Sequence, residues 1–393
     1  MNNKASDCRH CDLLVIGAGV LGSFYAYHAL QRGLNVSLVE RHGKPVGATV
    51  RNFGQIVPSG LDRTWQQFGR QSLEIYREIQ AKWDISVRQE GSLYIASDEE
   101  ECTLIEELHE INAASGYASQ RWTAEACLGH CSPLQRGYCR GGLFFPEEIS
   151  VNPQQMIHQL HRYMATFDNF TAHFQTQVRR VESLDGGGVA VETSAGEILT
   201  ASRVIVCCGS ELQTLFPERF RCSDIEICKL QMIRLSPQRK ASLPGNLLTG
   251  RSIRRYESFS QCPSWDEIKG KESSEDAARR WGIHVLFKQE IDGSIILGDS
   301  HEYAPANDPQ ALNFDIRADI NECILDEARR IIDLPQWNVD AAWYGTYSQA
   351  SHPAGIHVQS PLPKAHIVTG IGGKGMTSSP GFTKHHLEEI YHD

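Results

Sequence analysis

The sequence predicts an α/β fold centred on a Rossmann-like nucleotide-binding unit, joined to a second, β-rich α+β part. Three observations point there: a glycine-rich strand-to-helix turn over residues 13–22, two later apolar strands that end at Gly209 and Gly370, and a β-rich stretch over 228–299.

Leu13-Leu14-Val15-Ile16 reads as a buried strand, and Gly17-Ala18-Gly19-Val20-Leu21-Gly22 follows it in G-x-G-x-x-G spacing. Residues 20–32 permit a helix closed by Gly33, and 34–39 read as a second strand ending in Glu40, eighteen residues past Gly22. The glycine spacing alone would be a weak signal; strand, helix, strand and acidic residue together make a dinucleotide fingerprint. Gly17 allows the tight turn, Gly19 lets the backbone approach a pyrophosphate with no Cβ in the way, and Gly22 lets the helix pack closely on the sheet. The diphosphate would face the free N–H groups and positive dipole end of the helix. Glu40 can accept from both ribose hydroxyls and would repel a 2'-phosphate, which disfavours NADP and leaves NAD and FAD open.

The 393 residues are enough for two domains, and 41% hydrophobic with 22% charged content is that of an ordinary globular protein. A net charge of -10 argues against nucleic acid or anionic membrane as bulk partners, while allowing a local basic pocket. The polar first ten residues, and an apolar stretch soon broken by glycines, read as neither signal peptide nor membrane span, so a cytoplasmic location is expected. Twelve cysteines lack disulfide-framework spacing and read as free thiols. Cys8 and Cys11 form a single C-x-x-C in what reads as a disordered tail, and no metal site is expected.

Further along, residues 65–83 read as a long helix, while 91–95 and 142–145 look like strands of a different sheet. Asn152-Pro153 is a cap followed by proline at the first helical position, opening an amphipathic helix over 152–167. Strands return over 171–181, through turns at 186–188 and 195–196, to the run 203–209. Residues 229–235, 282–289 and 294–298 read as strands, interrupted by a charged surface helix or insertion over 264–280; 313–334 reads as a helix. The C-terminal part returns with a strand and the turn Thr369-Gly370-Ile371-Gly372-Gly373-Lys374-Gly375, then a final helix. A nicotinamide domain followed by a catalytic domain does not need this late glycine turn, whereas a fold wrapped round an extended FAD does.

On these residues the chain resembles the D-amino-acid oxidase superfamily of FAD-dependent amine oxidoreductases, which includes glycine oxidase, sarcosine oxidase and D-amino-acid dehydrogenases. The resemblance covers nearly the whole chain and rests on residues 15–22, 39–41, 204–209, 293–298 and 369–381. Residues 47–58, 228–232, 298–303 and 373–377 are similar to a narrower subgroup that accompanies aminophosphonate breakdown in bacteria. The resemblance implies a non-contiguous FAD-binding domain of the GR2 type from 1–85, 151–221 and 339–393, with 86–150 and 222–338 forming a substrate domain built on a large antiparallel sheet that roofs the flavin.

It further implies a small anionic amine as substrate, oxygen or another electron acceptor as partner, and non-covalent FAD. Relatives that link flavin through cysteine do so where Gly345 stands, and those that use histidine do so where Arg51 stands. Cofactor contacts are expected from Gly17, Gly19, Val20, Leu21, Gly22, Glu40, Arg41, Thr49, Asn52, Phe53, Gln55, Val178, Gly209, Gly370, Gly373, Lys374, Gly375, Met376 and Thr377. Backbone N–H groups of 373–377 would stabilise charge on the flavin pyrimidine, aided by Lys374. Arg51, His284, Tyr347, His352 and Lys374 are expected beside substrate, with Arg234 a further candidate cation. The arginine with which glycine and D-amino-acid oxidases hold a carboxylate should fall near Tyr347, yet no arginine stands between Asn338 and Asp393. Sarcosine oxidases activate oxygen with a roof-strand lysine whose place is taken roughly by Ile296 here, which favours a dehydrogenase passing electrons to another acceptor, although glycine oxidases manage without this lysine. Pro380, inside the final helix, matches a proline of the family pattern.

Overall fold

The computed structural model describes residues 10–272, 277–352 and 354–392. Its first sheet has eight strands. Six of them run in the order His357–Leu362, Ala365–Thr369, Ile198–Val206, His10–Ile16, Val36–Val39 and Phe170–His173, and Val178–Ser183 and Val189–Thr193 extend Ile198–Val206 as antiparallel neighbours. The opening strand pairs in parallel with Val36–Val39 on one side and Ile198–Val206 on the other. The chain therefore leaves it in one direction and returns on the other, which opens a crevice at the strands' carboxyl ends. That strand starts earlier than the sequence indicated. Cys11 is buried within it instead of lying in a tail, and Cys8 lies outside the described residues.

Helix Val20–Gln31 is buried from Val20 to Leu30 because helices Pro153–Met164 and Gly375–His392 pack against it and cover the side away from the sheet. Its polar groups are paired accordingly: Ser23 Oγ lies 2.8 Å from His161 Nε2, Tyr25 Oη 2.5 Å from His386 Nδ1, and His28 Nε2 2.8 Å from the Pro380 carbonyl. Pro380 has no N–H for the Met376 carbonyl, and the Tyr76 hydroxyl donates to that oxygen instead, at 2.9 Å. The proline is thus accommodated in an intact helix.

The second sheet has nine strands, in the order Glu302–Pro305, Ile225–Leu235, Ile295–Gly298, Leu286–Gln289, Asn246–Leu248, Ser92–Ala96, Gly141–Phe145 and Gln120–Thr123, with Val339–Ala350 paired along Ile225–Leu235. All pairs are antiparallel save Asn246–Leu248 with Ser92–Ala96. Residues 339–350, assigned on sequence to the cofactor unit, are therefore part of this sheet, hydrogen-bonded along Ile225–Leu235. The helix expected over 313–334 is Ala318–Ile331; the segment before it is held extended by the buried Lys229 ammonium, which donates to the Asn313 and Asp315 carbonyls at 2.6 Å each. Among the described residues no helix is long and apolar enough to cross a membrane.

Candidate active site

Between the strand ends of the first sheet and the face of the second lies a cavity of about 910 Å³. One wall is backbone. Gly17, Gly209 and Gly370, which end three neighbouring strands, all have positive φ, at +100°, +60° and +72°. A Cβ on Gly17 would lie 2.2 Å from the Cys207 carbonyl oxygen, and one on Gly22 would lie 1.9 Å from that of Gly17, so both are required by packing. Gly19 differs: its Cβ would meet only Thr49 Oγ1, at 3.1 Å, and otherwise faces the cavity. These are the tasks expected of the three glycines in a pyrophosphate cradle.

Val20 N–H donates to Thr49 Oγ1 at 2.9 Å, tying the helix start to the loop after Glu40. Glu40 accepts from Ala18 N–H at 3.0 Å with one carboxylate oxygen and from His42 N–H at 2.9 Å with the other. Each oxygen keeps a second lone pair, so a ribose hydroxyl can still be accepted. The Gly209 carbonyl accepts from Ser348 Oγ at 2.8 Å and Thr369 Oγ1 at 2.7 Å, which pins the second turn to both the roof and the last strand. At the far end, residues 372–374 turn into helix Gly375–His392, whose N-terminus opens on the cavity. All nineteen residues expected to touch the cofactor, Val178 included, line this one cavity. The fit to FAD rests on the chain's own geometry: a cradle that Cβ atoms would fill, an acidic acceptor at the tip of the second strand, and a helix N-terminus at the opposite end.

Four of the five residues expected beside substrate, Arg51, His284, Tyr347 and Lys374, also line the cavity. Arg51 is a loop pin: Nε donates to the Val46 carbonyl at 2.8 Å and Nη1 to that of Tyr344 at 3.0 Å. Asn52 likewise serves its own loop, donating to the Ala48 and Thr49 carbonyls and accepting from Gly54 N–H. Lys374 pairs with Glu257 at 3.3 Å and lies over the Trp65 ring. The Tyr347 hydroxyl reaches the closing turn, 3.8 Å from where a Gly373 Cβ would stand, and burial raises its pKa. His352 is not brought in: it is exposed, and its Nδ1 accepts from Ala354 N–H at 3.0 Å. Arg234 is also outside, on the exposed side of its strand.

His284 is buried in the roof, with Nε2 3.1 Å from Asp299 Oδ1 and Nδ1 3.3 Å from Ser252 Oγ. Its ring stacks on His301 with centroids 5.3 Å apart, and His301 stacks in turn on Tyr303. Burial pushes the His301 pKa down to about 3 and lowers that of His284, so both rings are neutral near pH 7. Burial alone would raise the Asp299 carboxyl, but His301, His284 and Arg255 beside it hold it below its ordinary value. Ligand atoms of His284, Asp299 and His301 lie within 4.8 Å of one another; His301 Nδ1 is 3.0 Å from the Gly282 carbonyl, and His284 Nε2 is the nearest side-chain nitrogen to Asp299 Oδ1.

Asp299, His301, Tyr303 and Arg255 line the cavity, and sequence reasoning missed them as site residues. A signal existed for three of them. Residues 299, 301 and 303 alternate, and extended chain places alternate side chains on one face.

Over residues 12–387 the chain matches the family described as DAO, FAD dependent oxidoreductase. A glycine oxidase of Bacillus subtilis is 23% identical over 210 residues, covering 51% of this chain and 54% of that protein. A tRNA 5-methylaminomethyl-2-thiouridine biosynthesis bifunctional protein of Magnetococcus marinus is 26% identical over 215 residues, covering 52% of this chain and 30% of its own. The chain thus spans about half or less of these relatives. Glycine oxidase from Bacillus cereus shares the fold with a TM-score of 0.77 at 18% identity, over 97% of this chain and 95% of that one. L-α-glycerophosphate oxidase from Mycoplasma pneumoniae with FAD bound does so with a TM-score of 0.77 at 15% identity, over 98% and 95%.

Proposed function

Because the chain belongs to the DAO family of FAD-dependent oxidoreductases, with FAD as its cofactor, we propose that it oxidises the C–N bond of a small amine that carries a second, anionic group. The observation that carries this reading is that the dinucleotide cradle and a charged, buried pocket of the roof share one cavity. Bound FAD supplies the acceptor for two electrons and the hydrogen of the amine's C–H, the chemistry a protein of ordinary side chains lacks. The resulting imine takes up water and leaves as a carbonyl compound and an amine or ammonia.

The chain's own residues bind and orient. N–H groups of residues 373–377 stand at a helix N-terminus that opens on the cavity, where they would hold the cofactor and stabilise negative charge on it. The Tyr347 hydroxyl, kept protonated by burial, is a donor above that turn. His284 and His301, both neutral, add no positive charge to the pocket and leave the amine's protonation to be set by Asp299 and solvent.

The substrate we favour is an aminophosphonate such as 2-aminoethylphosphonate or its N-methyl derivative, giving the aldehyde. Support comes from the subgroup motifs at 47–58, 228–232, 298–303 and 373–377, and from the lack of an arginine after Asn338 to hold a planar carboxylate. The alternative, a glycine-, sarcosine- or D-amino-acid-type enzyme holding its carboxylate on Arg51, must contend with the two backbone carbonyls that Arg51 already serves. FAD is held without a covalent link and should be released by acid precipitation. Anaerobic stopped-flow bleaching of the purified yellow protein with an amine panel tests the substrate: the aminophosphonates should have the highest rate per concentration. Faster bleaching by glycine, sarcosine or D-alanine would replace this reading with the amino-acid one.

A further inference from the structure

Cations line the cavity at Arg41, Arg51, Arg255 and Lys374. Arg41 follows Glu40 directly and belongs to the ribose end of the cradle. Arg51 is committed to the Val46 and Tyr344 carbonyls, and Lys374 to Glu257. Arg255 remains. Among the described residues its side chain makes no ion pair, and its one side-chain hydrogen bond is from Nη2 to the Tyr303 hydroxyl, at 3.3 Å.

Its position is built. Arg255 N–H donates to the Ser252 carbonyl at the end of the short helix Gly250–Ile253, and its neighbour Tyr256 packs edge-on to His284 with centroids 5.5 Å apart. Gly282, at φ +56°, makes room for the guanidinium: a Cβ there would stand 3.3 Å from Arg255 Nη1 and 3.0 Å from the His301 Cβ. Arg255 is exposed and Tyr303 is 44% exposed, so the pair sits at the mouth. The opposite charge lies deeper. Asp299 is 8% exposed, and its Oδ1, although 3.1 Å from His284 Nε2, has no aligned hydrogen bond.

Arg255 acts on Asp299 through space but makes no ion pair with it; a cation at the mouth in contact with no carboxylate, and a buried carboxylate oxygen within that lacks an aligned donor, describe a site for a ligand with the converse charges. We propose that Arg255 and the Tyr303 hydroxyl bind the substrate's anionic group and that Asp299 accepts from its amine, so the substrate lies with its anion outward and its amine inward. A guanidinium fork suits an oxyanion of this kind, and a carboxylate deep in the pocket rejects a ligand anionic at both ends. This assignment rests on the amine-oxidation reading above and names the residues that would give it selectivity.

The test uses FAD-loaded protein and its Arg255→Gln, Arg255→Lys and Asp299→Asn variants, each checked for unchanged flavin content. Anaerobic reduction is compared for 2-aminoethylphosphonate, β-alanine and the uncharged propylamine. Binding of methylphosphonate, an anion without an amine, is followed by the flavin difference spectrum. Arg255→Gln should weaken methylphosphonate binding and lower the preference for anionic over uncharged amine, each on the order of 10- to 100-fold, as expected for losing a charge-assisted hydrogen bond. Arg255→Lys should restore part of both. Asp299→Asn should weaken the amines and leave methylphosphonate binding in place. An Arg255→Gln protein that keeps its anion preference, or an Asp299→Asn protein that loses methylphosphonate as strongly as the amines, overturns the assignment. If no amine bleaches the wild-type flavin, it is amine oxidation that fails, and methylphosphonate binding still decides on Arg255.

Discussion

The two walls of the cavity are built by different means. On the side of the parallel sheet the backbone makes the site: three strands end in glycine at positive φ, and the first turn is set by carbonyls that a Cβ on Gly17 or Gly22 would strike. On the side of the antiparallel sheet side chains make it: Arg255, His284, Asp299, His301 and Tyr303 converge from a short helix and neighbouring extended segments. A backbone site tolerates almost no change at a few positions and reads any ligand with the right phosphates. A side-chain site can be altered residue by residue, and that is where selectivity belongs.

The sharpest way to probe the backbone wall is to separate its glycines. Gly22→Ala places a Cβ 1.9 Å from the Gly17 carbonyl oxygen, between a buried helix and the central strand, where neither can retreat. The expected loss exceeds about 3 kcal/mol, far more than the gain in helix propensity, and should appear as a lowered urea midpoint in the absence of any added cofactor. A variant as stable as the wild type would mean that helix and strand are not packed as described.

Gly19→Val tests the same wall with the opposite expectation for folding. Its Cβ meets only the Thr49 hydroxyl, and the branches extend into the cavity. Far-UV circular dichroism should be unchanged while flavin absorbance is lost. Full flavin content would show that the pyrophosphate does not pass Gly19.

This difference also decides what was legible in the sequence. The cradle was readable at single-residue level because its requirements are steric: Gly17, Gly19, Gly22 and Glu40 stand at fixed spacings for reasons that hold in any protein with this turn. The loop 49–55 was placed beside the cavity, but Arg51 and Asn52 could as well have faced ligand or their own backbone, and only the fold shows them bonded to carbonyls. In the roof, His284 was a lone histidine on a strand, with no local pattern to say that Asp299 would lie across from it. Arg255 carries no sequence signal at all, since its value comes from the other cavity cations being engaged. Residues 339–350 were misassigned because strand patterning shows that a segment is extended and not which sheet it joins.

Acid should weaken the backbone wall through three buried histidines. Burial pushes the pKa of His28, His161 and His386 down to about 4, and all three pair with groups on or beside helix Val20–Gln31. The unfolded chain takes up those protons near pH 6.5 and the folded one only near 4, so between these values the unfolded state binds more protons and stability falls as pH falls. Each site can contribute on the order of 3 kcal/mol once pH 4 is reached. The urea midpoint should drop steadily from pH 6.5 downward, and His28→Gln should reduce the slope. A midpoint flat over this range would contradict neutral, buried histidines at these positions.

Glu148 should oppose that trend, by a smaller amount in total, from the junction between the two walls. It is fully buried, accepts from Ser59 N–H at 2.8 Å and the Tyr117 hydroxyl at 2.7 Å, and burial pushes its carboxyl up to about 7. Here the unfolded chain releases its proton near pH 4.5 and the folded one near 7, so the contribution is complete below 4.5 and is lost as pH rises through 7. Glu148→Gln keeps an acceptor for both donors and removes the ionisation. The stability difference between wild type and variant should therefore change with pH between 4.5 and 7, in favour of the variant at the alkaline end, by up to about 3 kcal/mol. Since these three histidines and His301 act against one carboxyl, the wild-type profile should still slope upward from pH 4 to 6.5, and the variant's should be steeper. If the difference between the two proteins is the same at every pH, Glu148 ionises no differently in the folded chain, and the junction must hold a carboxylate whose charge the surrounding donors already satisfy.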